Sequence, residues 1–232
     1  ARKVFEITQN LDWQKYEGMI LLNHGIITFG AEAYESYERM INLVTVAEKF
    51  LRKHSSLPKM KLKKKTITLS QENLKKLARI RKNVSILRGT ASLARLNNSP
   101  EAQNFTNLPN LKKISTRGPI TSDHLIHTKP FPVYINEKYL EKSIEDFASK
   151  YKEYFDKHTD GKQNCLDRAP RWGVWPEQGI VSFGSSLVET EIISDITVHT
   201  ANAIQHAENI SYLKYRGWKP ISADHQFEAE YW

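Results

Sequence analysis

One strand–turn–helix pattern occurs twice in this chain, 154 positions apart, and any fold must accommodate both copies. The first copy runs Met19-Ile20-Leu21-Leu22-Asn23-His24-Gly25-Ile26-Ile27-Thr28-Phe29-Gly30. The second runs Gln178-Gly179-Ile180-Val181-Ser182-Phe183-Gly184, with Gln178 where the first has His24 (178 − 24 = 154). Over the 27 residues that start at His24 and at Gln178, Gly25, Ile26, Phe29, Gly30, Glu35, Val44 and Ala47 have identical partners. Four of these seven fall within the first seven positions, which is why duplication is favoured over a chance likeness of two helices after glycine. Each copy leads into apolar residues at three-to-four spacing, the mark of a helix with one face on a core. In the first they are Ala33, Tyr37, Met40, Ile41, Val44, Ala47 and Leu51; in the second, Val188, Ile192, Ile196, Ala203 and Ala207.

The chain of 232 residues is long enough for one large domain or two small ones. Hydrophobic residues make up 40% and charged residues 26%, ordinary for a globular protein. No apolar run approaches the roughly 20 residues that span a bilayer, and no charged-then-apolar leader is present. Cys165 is the only cysteine, which excludes an internal disulfide and fits a reducing compartment. A cytoplasmic location with no membrane partner is therefore expected. The chain opens Ala1-Arg2-Lys3 and closes on Tyr231-Trp232, and it reads as a piece of a longer protein.

The net charge of +8 has a single source. Residues 59–88 hold eleven Lys or Arg and one acid, a balance of +10; the remaining 23 basic and 25 acidic residues give −2. Such a segment can bind phosphate backbones, but no aromatic residue between Lys53 and Phe105 offers a base a stacking surface. A solvated basic linker over 58–70 is the simpler reading, and nucleic acid is not the expected partner.

The pattern predicts a buried strand over Met19–Leu22 and a helix over about 32–53. A second helix starts after Ser70, an N-cap residue, with Leu74, Leu77 and Ala78 inward. Strands are expected within Ser85–Leu96. Ser99-Pro100 opens a short helix to about Leu108. A long helix over about 137–157 carries the stripe Leu140, Ile144, Phe147, Tyr151 and Phe155, and Asp160-Gly161 ends it. Trp172, Trp175 and Trp218 are expected in the core or a subunit contact, and His199 and His206 as surface or capped histidines.

His24 lies where a strand meets a glycine turn, a place from which an imidazole can project out of a sheet edge. One histidine does not make a metal site, so a ligand role and a hydrogen-bonded turn role both stand on chemistry alone. Asp123-His124-x-x-His127 admits a metal reading if its spacing falls on a helix face, but Gly118-Pro119 before it and Lys129-Pro130 after it favour a strand or loop. Arg117, Asp123, His124 and Lys129 then either line a polar, phosphate-tolerant pocket that binds substrate or simply join two elements.

Leu21-Leu22-Asn23-His24-Gly25, Thr28-Phe29-Gly30 and Ala33-Tyr34-Glu35 resemble the last metal-ligand segment of the class II aldolase/adducin family. Thr116-Arg117-Gly118-Pro119-Ile120-Thr121-Ser122-Asp123-His124-Leu125-Ile126-His127-Thr128-Lys129, the Gln178–Gly184 stretch and Phe227-Glu228-Ala229-Glu230-Tyr231-Trp232 resemble one branch of it. That branch is the bifunctional rhamnulose-1-phosphate aldolase/short-chain alcohol dehydrogenase proteins. The resemblance implies a pseudo-duplicated three-layer α/β/α sandwich around a mainly antiparallel sheet, assembled as a homo-oligomer. It divides the chain into the end of a metal-bearing module (1–57), a basic linker (58–70) and a second, degenerate module (71–232). It implies a zinc-dependent lyase that cleaves a ketose 1-phosphate, with NAD serving a further domain. Of the family's three zinc-binding histidines only the third carries over, onto His24; the paired histidines and the proton-handling glutamate have no match here. A non-catalytic, adducin-like assembly module is the alternative, as is a partner domain of a dehydrogenase.

Overall fold

The computed structural model describes residues 2–55, 69–210 and 219–231. Residues 58–68 of the expected linker and Trp218 lie outside the described residues. The chain separates into two compact units, Ala1–His54 and Ser55–Trp232.

In the first unit a short helix, α1 (Arg2–Thr8), precedes an antiparallel ribbon of β1 (Gly18–Leu21) and β2 (Gly25–Thr28), then the long helix α2 (Ala33–His54). The ribbon pairs Gly18 with Thr28 and Leu21 with Gly25. Asn23 takes the left-handed conformation (φ 59°), which a short polar side chain tolerates better than most. The His24 amide then closes the turn on the Leu21 carbonyl at 3.0 Å. The expected burial of Met19–Leu22 is not observed: Ile20 is 72% and Leu22 88% exposed. A two-stranded ribbon has no second layer to bury both of its faces. Helix α2 has the expected extent, but none of its residues is buried.

The second unit opens with α3 (Gln71–Arg88), whose N-cap Ser70 accepts from the Asn73 amide at 3.1 Å and whose last turn stops at the left-handed Gly89. It runs through much of the stretch expected to be strand, because Ile80, Val84 and Leu87 keep helical spacing up to that glycine. Its buried side chains are Ile80 and Val84, with Leu77 packed beside them. Leu74 is half exposed and Ala78 exposed, so the inward face is rotated from the expected one. The basic residues of this helix are largely committed within the fold. Lys76 pairs with Glu137 (2.8 Å), Arg79 with Glu141 (2.7 Å) and Arg88 with Glu189 (2.8 Å).

Strand β3 (Leu93–Asn97), helix α4 (Pro100–Thr106) capped by Ser99, and two short helices, α5 (Leu111–Ser115) and α6 (Leu125–Thr128), follow. Then come β4 (Val133–Tyr134), a single 3-10 turn at Glu137–Tyr139, and α7 (Leu140–His158). The whole expected stripe Leu140, Ile144, Phe147, Tyr151 and Phe155 is buried on α7. A hairpin of β5 (Trp172–Trp175) and β6 (Gly179–Gly184), the helix α8 (Leu187–Asn209) and α9 (Ala223–Tyr231) complete the unit. The sheet order is β3-β6-β5-β4; β6 runs antiparallel to both neighbours and β4 parallel to β5.

Alternate side chains of the central hairpin enter two apolar clusters, as a strand period of two requires. Trp175, Val181 and Phe183 join Ile80 and Val84 of α3 and the stripe of α7. Trp172, Val174 and Ile180 join Ala102 and Phe105 of α4, Leu111 and Ile114 of α5, and Ile193, Ala201 and Ile204 of α8. Trp172 and Trp175 are thus core residues, as expected. On α8 the expected inward face is corrected: Val188 is 63% and Ile192 40% exposed. The buried face holds Thr190, Ser194, Thr197 and Thr200 among its apolar members. Those hydroxyls have partners, as Thr197 donates to the Ser194 carbonyl (3.0 Å) and Ser194 accepts from Asn97 (3.2 Å). Polarity alone therefore mislabels this helix face. Among the described residues no helix is long and apolar enough to cross a membrane.

Candidate functional site

The His24 turn belongs to a local structure found twice. Adding 154 to the register pairs of the first ribbon gives those of the second: Gly18↔Thr28 becomes Trp172↔Ser182, and Leu21↔Gly25 becomes Trp175↔Gly179. Helix starts Ala33 and Leu187 differ by the same 154. Left-handed Asn23 (φ 59°) corresponds to left-handed Glu177 (φ 62°). The Thr28 hydroxyl donates to the Ser36 carbonyl at 2.8 Å, and the Ser182 hydroxyl to the Thr190 carbonyl at 2.9 Å. The Glu35 carboxylate accepts from the Ala31 amide (2.7 Å), and Glu189 from the Ser185 amide (2.6 Å).

At the equivalent turn position the two copies diverge. His24 stands exposed at the ribbon tip. Gln178 accepts from the Asn73 side chain of α3 at 2.8 Å, so this second polar group is held inside its own unit. The acidic residue below each turn meets an arginine, Glu35 with Arg39 at 2.6 Å and Glu189 with Arg88 at 2.8 Å. Burial opposes ionisation of Glu189, but the Ser185 hydroxyl and amide and the Arg88 guanidinium outweigh it and hold its pKa down at about 2.

A catalytic zinc site takes three protein ligands and keeps a fourth position open. Among the described residues no group of three or more His, Cys, Asp or Glu is placed to hold a metal ion. The residues present do not by themselves fit a zinc centre, and His24 supplies one corner of such a site at most.

The residues expected to bind substrate are not gathered into one pocket. Arg117 pairs with Glu208 of α8 at 2.7 Å. Asp123 is exposed just before α6. His124 caps that helix, and its Nδ1 lies 3.4 Å from the Thr200 hydroxyl; burial lowers its pKa. The Asp123-His124-x-x-His127 stretch forms a turn and a short helix rather than the expected strand or loop. His124 and Lys129 share a narrow crevice with Pro119, Trp172 and Thr200, while the Lys129 ammonium turns elsewhere.

That ammonium enters a cluster with chemical potential of its own. Lys129 is 3% exposed and holds φ 60°, unusual for a side-chain-bearing residue. Its Nζ donates to the Asp167 carbonyl and lies 3.7 Å from the centre of the Tyr151 ring. Arg171 grips the Asp167 carboxylate through both nitrogens, at 2.8 and 2.6 Å. From α9, Glu230 accepts from the Tyr151 hydroxyl at 2.7 Å, and the same hydroxyl meets that of Tyr231 at 2.7 Å. Lys129, Arg171 and Glu230 line a cavity of about 260 Å³, and Glu230 Oε2 is buried there with no hydrogen-bond partner among the described residues. Burial disfavours both charges, pushing the Lys129 ammonium down and the Glu230 carboxyl up. Oppositely perturbed groups beside a cavity suit proton exchange with a polar ligand.

Of this cluster the sequence had singled out only Lys129. Glu230 and Tyr231 lay in the closing motif without a role, Tyr151 was read only as part of the apolar stripe of its helix, and Asp167 and Arg171 gave no signal. They meet through contacts 38 to 80 residues apart along the chain, which no local pattern encodes.

A mixed α/β domain with a buried central hairpin is thus the class of protein to which these elements belong. The family model described as "Aldolase class II, second domain" matches residues 71–232, and the chain belongs to that family. A relative in Bacillus subtilis (strain 168), described as "Uncharacterized oxidoreductase YuxG", is 23% identical over 193 residues. The match covers 76% of this chain and 28% of the relative, so the chain spans little more than a quarter of that protein's length. No solved structure matches.

Proposed function

We propose that this chain is part of a zinc-dependent class II aldolase that cleaves a ketose 1-phosphate, L-rhamnulose 1-phosphate being the specific substrate expected. The products would be dihydroxyacetone phosphate and a hydroxyaldehyde. In this reading 1–57 ends a metal-bearing module, 71–232 is a duplicated module in the same layered α/β/α arrangement, and His24 supplies one zinc ligand. The observation that carries it is the recurrence of one ribbon, turn and helix in both places, 154 residues apart, with an exposed imidazole at the first turn only. Family membership of residues 71–232 supports the same reading. His24 would hold the metal only together with ligands from outside the described residues, and a metal so bound would supply Lewis-acid chemistry. What this chain contributes is the turn that presents His24, held by the Asn23 conformation and the His24–Leu21 backbone bond.

The Lys129–Glu230 cavity would serve the second module as a site for a polar group. The exposed apolar residues Leu187, Val188 and Ile192 on α8 support assembly into a homo-oligomer. The test is a coupled assay of the full-length protein on L-rhamnulose 1-phosphate before and after chelation. Release of dihydroxyacetone phosphate that stops on chelation and returns with zinc supports the proposal; no release from any ketose 1-phosphate refutes it.

A second reading is favoured by the description of the Bacillus relative as an oxidoreductase. There, 71–232 partners an NAD-dependent dehydrogenase domain of a longer protein. Hydride transfer by the full-length protein without any aldol cleavage would select it.

A further inference from the structure

A cavity of about 400 Å³ lies along the outer edge of β4, on the far side of that strand from β5. Its floor is apolar: Phe131, Val133 and Phe147 are buried, and Phe131 and Phe147 meet edge to face at 5.3 Å. Three lysines stand around it, Lys112 from α5 and Lys142 and Lys150 from α7. The volume falls in the range of small-molecule sites.

The charges in this cavity are unevenly met. Lys142 has Asp146 at 3.3 Å. Lys150 and Lys112 have no carboxylate within ion-pair distance among the described residues. Each rests instead against an aromatic face: Lys150 Nζ is 4.2 Å from the Phe131 ring centre and Lys112 Nζ 5.7 Å from that of Tyr134. Burial lowers the pKa of Lys150, the nearby Lys112 charge lowers it further, and Glu153 draws it back only in part. Lys112 and Lys150 are like charges at one cavity, and an anion between them would relieve their repulsion. With Lys112, Lys142 and Lys150 against Asp146, the cavity carries a balance of +2, which matches a phosphate monoester dianion.

We propose that the cavity beside β4 binds a small phosphate monoester, its phosphate between Lys112 and Lys150 and its organic part on Phe131 and Tyr134. The site shares no lining residue with the Lys129–Glu230 cavity, so it holds or fails independently of the aldolase reading. A sugar phosphate and a mononucleotide share this headgroup. The aromatic wall suits a base, while Thr116, Asn136 and Ser143 at the rim suit sugar hydroxyls.

The experiment is calorimetric titration of the full chain with inorganic phosphate, fructose 1-phosphate, adenosine monophosphate, and the neutral compounds fructose and adenosine. Both monoesters or one of them should bind, and the neutral compounds should bind at least about tenfold more weakly, since a charge-assisted contact is lost. Affinity should rise as pH passes about 6, where the dianion forms. Lys112→Met and Lys150→Met keep the apolar stems and should each weaken binding about tenfold or more. Lys142→Met, already paired with Asp146, should weaken it less. Preference for the mononucleotide assigns the aromatic wall to a base, and preference for the sugar phosphate assigns the rim to hydroxyls. Unchanged melting temperatures would show that the variants are folded. Absence of binding by every phosphate, or binding unaltered in the folded Lys112→Met/Lys150→Met double variant, overturns the proposal.

Discussion

Gln178 accepts a hydrogen bond from Asn73 at 2.8 Å, at the turn position that His24 occupies in the first ribbon. A glutamine amide satisfied by a helix of its own unit needs no external ligand. The imidazole at the same turn of the first ribbon is exposed. Asn73→Ala should therefore cost the second unit about 1 kcal/mol, the worth of a neutral, partly buried hydrogen bond. Chemical denaturation of the full chain checks it, and a loss under a few tenths would mean that the contact does not hold Gln178.

Gly25 and Gly179 occupy equivalent places but should respond differently to alanine. A Cβ on Gly179 would lie 2.2 Å from the Asn97 carbonyl oxygen, and its φ is +138°. A Cβ on Gly25 meets nothing within 4 Å. Gly179→Ala should destabilise by about 3 kcal/mol or more, combining overpacking with backbone strain, whereas Gly25→Ala should stay within about 0.5 kcal/mol. Equal melting temperatures for the two variants would contradict this geometry.

The Arg88–Glu189 pair fixes an acid-sensitive element. Glu189 is depressed in the folded state to about 2, below the ordinary carboxylate value near 4.3. Its contribution is therefore present above that ordinary value and is lost as pH falls through about 2. Glu189→Gln should reduce stability at pH 7 and flatten its fall between roughly pH 4 and pH 2. The pH dependence of urea midpoints for the two proteins measures this, and parallel curves would count against it.

Lys129 and Glu230 carry opposite charges and line the same cavity, so single and double changes should not add. Lys129→Met or Glu230→Gln alone leaves one buried charge poorly compensated and should cost about 3 kcal/mol. The double variant should cost less than the sum by 1 kcal/mol or more, in the range of directly coupled sites. Additivity across this cycle would place the two groups in separate environments.

How much was legible beforehand depended on how local each signal was. Helix α7 was readable because Leu140, Ile144, Phe147, Tyr151 and Phe155 are all buried apolar residues at helical spacing. The caps Ser70 and Ser99 were readable from side chains that bond their own helix starts. The inward face of α8 was not, because its buried Thr190, Ser194, Thr197 and Thr200 look like surface residues until their hydroxyl partners are known. Met19–Leu22 looked like a buried strand because apolar residues cannot report whether a second layer exists. At the candidate site, His24 was marked by the glycine turn, whereas Asp167, Arg171 and Glu230 meet Lys129 only through the tertiary fold.

Zinc content of the full-length protein, measured together with ketose 1-phosphate cleavage, tests the His24 assignment most directly. His24→Ala should lower bound zinc and cleavage together by about tenfold or more, while Gln178→Ala leaves both near the parent level. Unchanged zinc and unchanged cleavage in His24→Ala would contradict the assignment of a metal ligand to the first turn.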